Sequence, residues 1–208
     1  DRKRTGVILG AAATTQLVAH MSGRMARPMW REGLRRSGMD EATIARACDA
    51  IADQFVPWQE STFPGLLGNV IAGRVANRFD LGGTNCALDA ACASSLAALS
   101  MAMGELRRGR ADTLLTGGVD ALNDVLMFLC FSQTPALSLT GDCRPFSDQA
   151  DGTMLGEGVA MLALRRLEDA ERDGHRIYAV LRGLGSSSDG RAKSVYAPVS
   201  EGQAHAIR

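Results

Sequence analysis

The order of apolar and polar positions divides the chain into short apolar runs and longer stretches with helical spacing. Thr5-Gly6-Val7-Ile8-Leu9-Gly10 is an apolar run closed by glycine, the pattern of a strand buried on both faces. The Met- and Arg-rich stretch after it, to Gly38, reads as helical. Asp40 is a good N-cap, and Ile44, Ala47, Cys48, Ile51 and Phe55 recur at helical spacing, predicting a helix to Phe55 ended by Pro57. Residues 60–65 read as a loop, with Pro64-Gly65 as a turn signal. Residues 66–79 read as a helix, with Leu67, Val70, Ile71, Val75 and Phe79 on its apolar side. Gly68 and Gly73 would weaken a solvent-exposed helix by on the order of 1 kcal/mol each, so their presence predicts tight packing there. After a turn, residues 85–91 read as a strand, followed by a small-residue helix to Arg107 that Gly109 is suited to end. Beyond it the pattern predicts a strand at 113–118, an apolar helix at 123–133 and a loop at 137–150. A strand at 159–164, a charged helix at 168–173, a strand at 177–183 and a serine-rich turn at 185–190 complete the reading. This alternation of strand and helix predicts an α/β fold around a central, largely buried sheet.

Composition narrows the function classes. Apolar residues make up 46% of the 208, enough for a sizeable core, and no run is long and charge-free enough to span a membrane. Twenty-three basic against 23 acidic residues give zero net charge, which argues against a nucleic-acid-coating protein. The basic cluster Arg24, Arg27, Arg31, Arg35 and Arg36 reads as a solvated helix face, or, more sharply, as a docking patch for an acidic carrier protein. The five cysteines, Cys48, Cys86, Cys92, Cys130 and Cys143, are odd in number and include no C-x-x-C pair. Neither zinc nor a disulfide framework is supported, and the chain reads as cytoplasmic with reduced thiols. It opens on Asp1 with no signal sequence and reads as an internal fragment of something longer.

Among these cysteines Cys92 stands apart. It lies where an apolar strand gives way to a helix of small residues, Ala93, Ser94, Ser95, Ala97 and Ala98. There it faces unpaired N–H groups and the positive end of a helix dipole, which favours thiolate over thiol. Such a thiolate suits a nucleophile, and the backbone N–H of Cys92 is a natural local donor to an oxyanion. The competing reading is a small, inert core cysteine. A phosphate loop is unsupported between strand and helix. Lys193, Ser194 and Tyr196 do not make a dehydrogenase triad, because no Tyr-x-x-x-Lys helix or dinucleotide fingerprint accompanies them. Asp151 and Glu157 read as a turn leading into a strand, with Glu157 in an ion pair. His20, His175 and His205 read as surface residues.

The stretch Asp89-Ala90-Ala91-Cys92-Ala93-Ser94-Ser95-Leu96 resembles the active-site signature of β-ketoacyl synthases, the condensing domains of fatty-acid and polyketide synthases. The resemblance continues in family order. Upstream is the segment from Phe63-Pro64-Gly65 to Asn77-Arg78, and downstream are Thr116-Gly117-Gly118-Val119-Asp120 and Arg144-Pro145-Phe146-Ser147-Asp148. Asp151-Gly152, Gly156-Glu157-Gly158 and the segment from Ser187-Ser188-Asp189 to Ala197-Pro198 follow. The last of these, with Trp58-Gln59-Glu60-Ser61-Thr62, resembles iterative synthases of polyunsaturated fatty acids.

What the resemblance implies is specific. The fold would be thiolase-like, residues 1–208 supplying most of the first half-repeat and the start of the link to the second, as a partial ketosynthase domain. Cys92 would be the acyl-accepting nucleophile in a decarboxylative condensation of an acyl thioester with a malonyl thioester. The loop at 137–150 would shape the acyl pocket. No metal or dissociable cofactor would be bound, since the substrates ride on the phosphopantetheine of acyl carrier protein domains, and the domain would be a homodimer. The family's two histidines, one in His-Gly-Thr and one in Lys-x-x-x-x-His, have no counterpart in the 208 residues, so these residues alone would not complete the reaction. Rival readings are thiolase-like acyl transfer by the same cysteine, and a non-catalytic partner domain of chain-length-factor type. A further possibility is a remnant that folds poorly and aggregates through an exposed sheet edge.

Overall fold

A computed structural model describes residues 1–12, 15–121, 123–191 and 197–208, and the chain forms two compact units, Asp1–Arg165 and Arg166–Arg208. The first unit is built on a four-stranded sheet: β1 (Thr5–Gly10), β2 (Asn85–Leu88), β3 (Thr113–Asp120) and β4 (Gly158–Leu164). The spatial order is β2-β1-β3-β4. β1 pairs in parallel with both β2 and β3, and β4 closes the other edge antiparallel to β3.

The central position of β1 explains why its sequence carries no polar side chain after Thr5, since a strand covered on both faces has no polar side. Ile8 points into a cluster with Leu114 and with Ala98, Ala102 and Leu106 of α6 (Ser94–Arg107). Val7 and Leu9 point the other way, onto Ala72 and Ala76 of α5 (Asn69–Phe79). The chain reaches α5 through α1 (Thr15–Met25), α2 (Arg27–Arg36), α3 (Glu41–Ala52) and α4 (Thr62–Leu66). α7 (Val125–Gln133) follows β3 with no buried residue, although most of its side chains are apolar.

Several expectations hold and several change. Asp40 caps α3, accepting hydrogen bonds from the N–H groups of Ala42 and Thr43 at 3.1 and 3.0 Å. That helix stops at Ala52, and Phe55 instead stacks on Trp30 with ring centroids 5.7 Å apart. The loop expected at 60–65 contains α4, because Pro64 falls in the first turn, where a missing N–H costs no intrahelical bond. The helix expected at 66–79 is broken at Leu67, which is extended. Gly68 has open space around it and Gly73 meets only Asn85 Oδ1 at 3.8 Å, so the tight packing expected there is absent. The strand at 85–91 is shorter than expected, ending at Leu88, where its pairing with β1 ends. The basic cluster is a seam between helices: Arg27 pairs with Asp49, and Arg31 and Arg35 with Glu41, while Arg24 donates to the carbonyls of Phe55 and Val56.

The second unit holds two short helices, α8 (Leu167–Arg172) and α9 (Ser200–Ile207). Asp169 is clasped between Arg166 and Arg172, which holds its carboxyl below the usual range, chiefly through the Arg172 hydrogen bond. The strand expected at 177–183 does not form, and its apolar residues Ile177, Tyr178 and Val180 are exposed. A strand requires a hydrogen-bonded neighbour, and no described residue pairs with this run. Lys193, Ser194 and Tyr196 lie outside the described residues.

Candidate active site

The turn between β2 and α6 carries Cys92. Its backbone departs from regular structure at Ala91, which takes φ 49°, a left-handed conformation that an alanine adopts only when its surroundings enforce it. Three side-chain hydrogen bonds do so. The Ala91 N–H donates to Asp89 Oδ1 at 2.8 Å, the Ala90 N–H donates to Ser94 Oγ at 2.8 Å, and Ser94 Oγ–H donates to the Ala91 carbonyl at 2.6 Å. Backbone bonds from Ala93 N–H to the Ala90 carbonyl and from Ser94 N–H to the Ala91 carbonyl complete the knot. Cys92 is exposed, two positions ahead of the first residue of α6.

The sheet fixes where that knot stands. A Cβ on Gly10, the last residue of β1, would fall 2.5 Å from the Ser94 carbonyl carbon and 2.6 Å from Ser95 N. A Cβ on Gly118 of β3 would fall 2.8 Å from Ser95 Cβ. Only glycine at these two positions lets the first turn of α6 rest on the strand ends. From there α6 runs across the sheet with Ala98 and Ala102 fully buried, and Gly109, at φ 67°, ends it as expected. Ala93, the residue at the N-cap, offers no side-chain acceptor, and the N–H of Ser94, the first of α6, bonds back to the Ala91 carbonyl.

The other thiols lack this setting. Cys48 is fully buried in α3. Cys86, half-buried on β2, has its thiol pushed up by burial and then by the charge of Glu105, which disfavours a thiolate. Cys130 and Cys143 are exposed, so exposure alone does not single out Cys92, and the strained turn does. His175 and His205 are exposed as expected, but His20 is half-buried: its Nδ1 accepts the Val56 N–H at 3.2 Å. Glu157 makes no ion pair among the described residues, accepting instead the Asn123 N–H at 2.8 Å. Asp151 anchors the loop after α7, taking hydrogen bonds from Ser138 Oγ and from the Leu139 and Thr140 N–H groups at 2.7, 3.1 and 3.0 Å. These hold its carboxyl below the usual range. No group of three or more His, Cys, Asp or Glu side chains that could hold a metal ion occurs among the described residues. No described helix is long and apolar enough to cross a membrane.

Sequence reasoning missed two features. One is the role of Ser94 and Asp89 in the turn, whose only trace was a pair of polar residues flanking an alanine-rich stretch. The other is an apolar cavity of about 520 Å³ on the α5 face of the sheet, lined by Leu9, Ile71, Val75, Phe79 and residues of β3 and β4.

Comparison with known proteins agrees with this fold. Residues 1–170 match the N-terminal domain of β-ketoacyl synthases. The chain is 41% identical over its whole length to a polyunsaturated fatty acid synthase polypeptide of Thraustochytrium sp., of which it spans 7%. It is 44% identical over 144 residues to a spectinabilin polyketide synthase system protein of Streptomyces orinoci, covering 69% of this chain and 4% of the relative. The ketosynthase from module 6 of the bacillaene synthase of Bacillus subtilis 168 superposes with a TM-score of 0.70 over 96% of this chain and 28% of its own, at 24% identity. An oxazolomycin ketosynthase domain from Streptomyces albus JA3453 does so with 0.67 over 92% and 28%, at 28% identity. The sheet order, the helices on both faces and these matches together give the thiolase-like α/β architecture of the N-terminal half of a ketosynthase domain, and the chain belongs to the β-ketoacyl synthase family.

Proposed function

We propose that the chain supplies the nucleophile-bearing half of a condensing domain that joins an acyl thioester to a malonyl thioester in polyketide or fatty-acid synthesis. The observation that carries this reading is the exposed Cys92 standing on a strained, hydrogen-bonded turn at the head of a buried helix. In the first step the Cys92 thiolate attacks the acyl carbonyl, the C–S bond to the carrier thiol breaks, and that thiolate leaves with the electron pair. The Cys92 N–H donates to the oxyanion formed on the way. In the second step the malonyl thioester loses CO₂, its enolate carbon bonds to the acyl carbonyl, and Cys92 is released as thiolate. The enolate requires hydrogen-bond donors, the role that the family's His-Gly-Thr and Lys-x-x-x-x-His histidines would fill, and neither motif occurs in the 208 residues. The substrates would be carried on phosphopantetheine arms of acyl carrier domains, with no metal or dissociable cofactor, in a cytoplasmic homodimer.

The test is peptide mass mapping of the full-length gene product after brief exposure to a short acyl thioester, with Cys92→Ala alongside. Acyl mass on the Cys92 peptide, absent from the variant, is the expected result. Acylation elsewhere, or none in folded protein, would make Cys92 structural and return the non-catalytic partner reading.

A further inference from the structure

We infer that Ser94 and Asp89 are positioning residues for Cys92, an inference that rests on the nucleophile reading above. Ser94 is 7% exposed, so its hydroxyl is withdrawn from water and both of its hydrogen-bonding functions are committed to the turn. It accepts from the Ala90 N–H and donates to the Ala91 carbonyl, bracketing the one left-handed peptide before the nucleophile. Asp89 holds the same residue from its other end through the Ala91 N–H. Alanine at 91 has an ordinary right-handed or extended alternative, and only these bonds and the backbone pairs of Ala93 and Ser94 keep it left-handed. Releasing it swings the Cα–Cβ bond of the next residue, so the sulfur leaves its place at the head of α6. Neither side chain touches the reacting atoms; both act by fixing where Sγ stands. Asp89 acts as a hydrogen-bond acceptor rather than as a charge, which separates it from an electrostatic helper.

The experiment measures the rate of Cys92 alkylation by iodoacetamide, and of its acylation by a short acyl thioester, in the full-length gene product. Wild type, Ser94→Ala, Asp89→Ala and Asp89→Asn are compared, with Cys92→Ala as the blank. Ser94→Ala and Asp89→Ala are expected to slow acylation tenfold or more and to slow alkylation with it. Asp89→Asn, whose Oδ1 still accepts the Ala91 N–H, is expected to restore both. Wild-type rates in the two alanine variants would overturn the inference, as would Asp89→Asn behaving like Asp89→Ala. Asp89 is exposed, so its pair of variants decides the matter even if Ser94→Ala unfolds. Failure of the wild type itself to acylate at Cys92 would instead strike the nucleophile reading.

Discussion

Replacing Gly10 by alanine tests the link between sheet packing and chemistry. The added methyl would lie 2.5, 2.6 and 2.7 Å from the carbonyl carbon of Ser94, the nitrogen of Ser95 and the carbonyl oxygen of Ser94. All three are backbone atoms of the first turn of α6, so no side chain can swing aside. The helix start must retreat by roughly an ångström, or β1 must bow away from it, and overpacking of this kind costs about 1–3 kcal/mol. In a chain of this size each kcal/mol lowers the melting temperature by about 2–4 °C. Cys92 rides two residues ahead of Ser94, and a displacement of about 1 Å at a reacting group can cost as much as about 10²-fold in rate. Gly10→Ala should therefore lose both melting temperature and Cys92 acylation, the second more than the first explains. Gly33, on the exposed face of α2 with nothing within 4 Å of a Cβ, is the matched control. Alanine there should raise stability by about 0.5–1 kcal/mol through helix propensity and leave acylation unchanged. A Gly10→Ala protein that melts and acylates like wild type would refute the argument that this contact sets the position of the turn.

Two further outcomes follow from single groups. The Thr116 hydroxyl on β3 is fully buried without a hydrogen-bond partner among the described residues, so Thr116→Val should raise the melting temperature by the equivalent of about 1 kcal/mol; a lower value would mean that the hydroxyl has a partner. Asp151 titrates below the ordinary carboxylate range because Ser138 and Thr140 bond its charged form, so its contribution is full above about pH 4 and disappears as pH falls through the depressed value. Hydrogen exchange at Leu139 and Thr140, corrected for intrinsic rates, should lose protection over that acidic window in wild type; Asp151→Ala should lack it at neutral pH, and equal protection in the two proteins would remove Asp151 as the anchor.

What the linear pattern determined is local. The run at 5–10 specified a strand buried on both faces because only apolar side chains tolerate cover on each side, and β1 has those bounds. The Asp40 cap and the Gly109 stop were equally legible, since capping depends on a residue and its immediate neighbours. The ordered motifs around Cys92 carried the family, and the strand-to-helix transition singled out the cysteine that we propose as the nucleophile. Everything that depended on a partner distant in sequence was decided by tertiary structure. The run at 177–183 has the composition of a strand but no neighbour among the described residues to pair with. Gly68 and Gly73 looked like close-approach positions, yet the close approaches fall at Gly10 and Gly118, because strand ends and the head of α6 meet only in the folded sheet. The arginines of α2 looked free until α3 brought Asp49 and Glu41 against them. The left-handed Ala91 was likewise invisible in sequence, because alanine favours that conformation nowhere by itself and adopts it here through hydrogen bonds that exist only once the turn has closed.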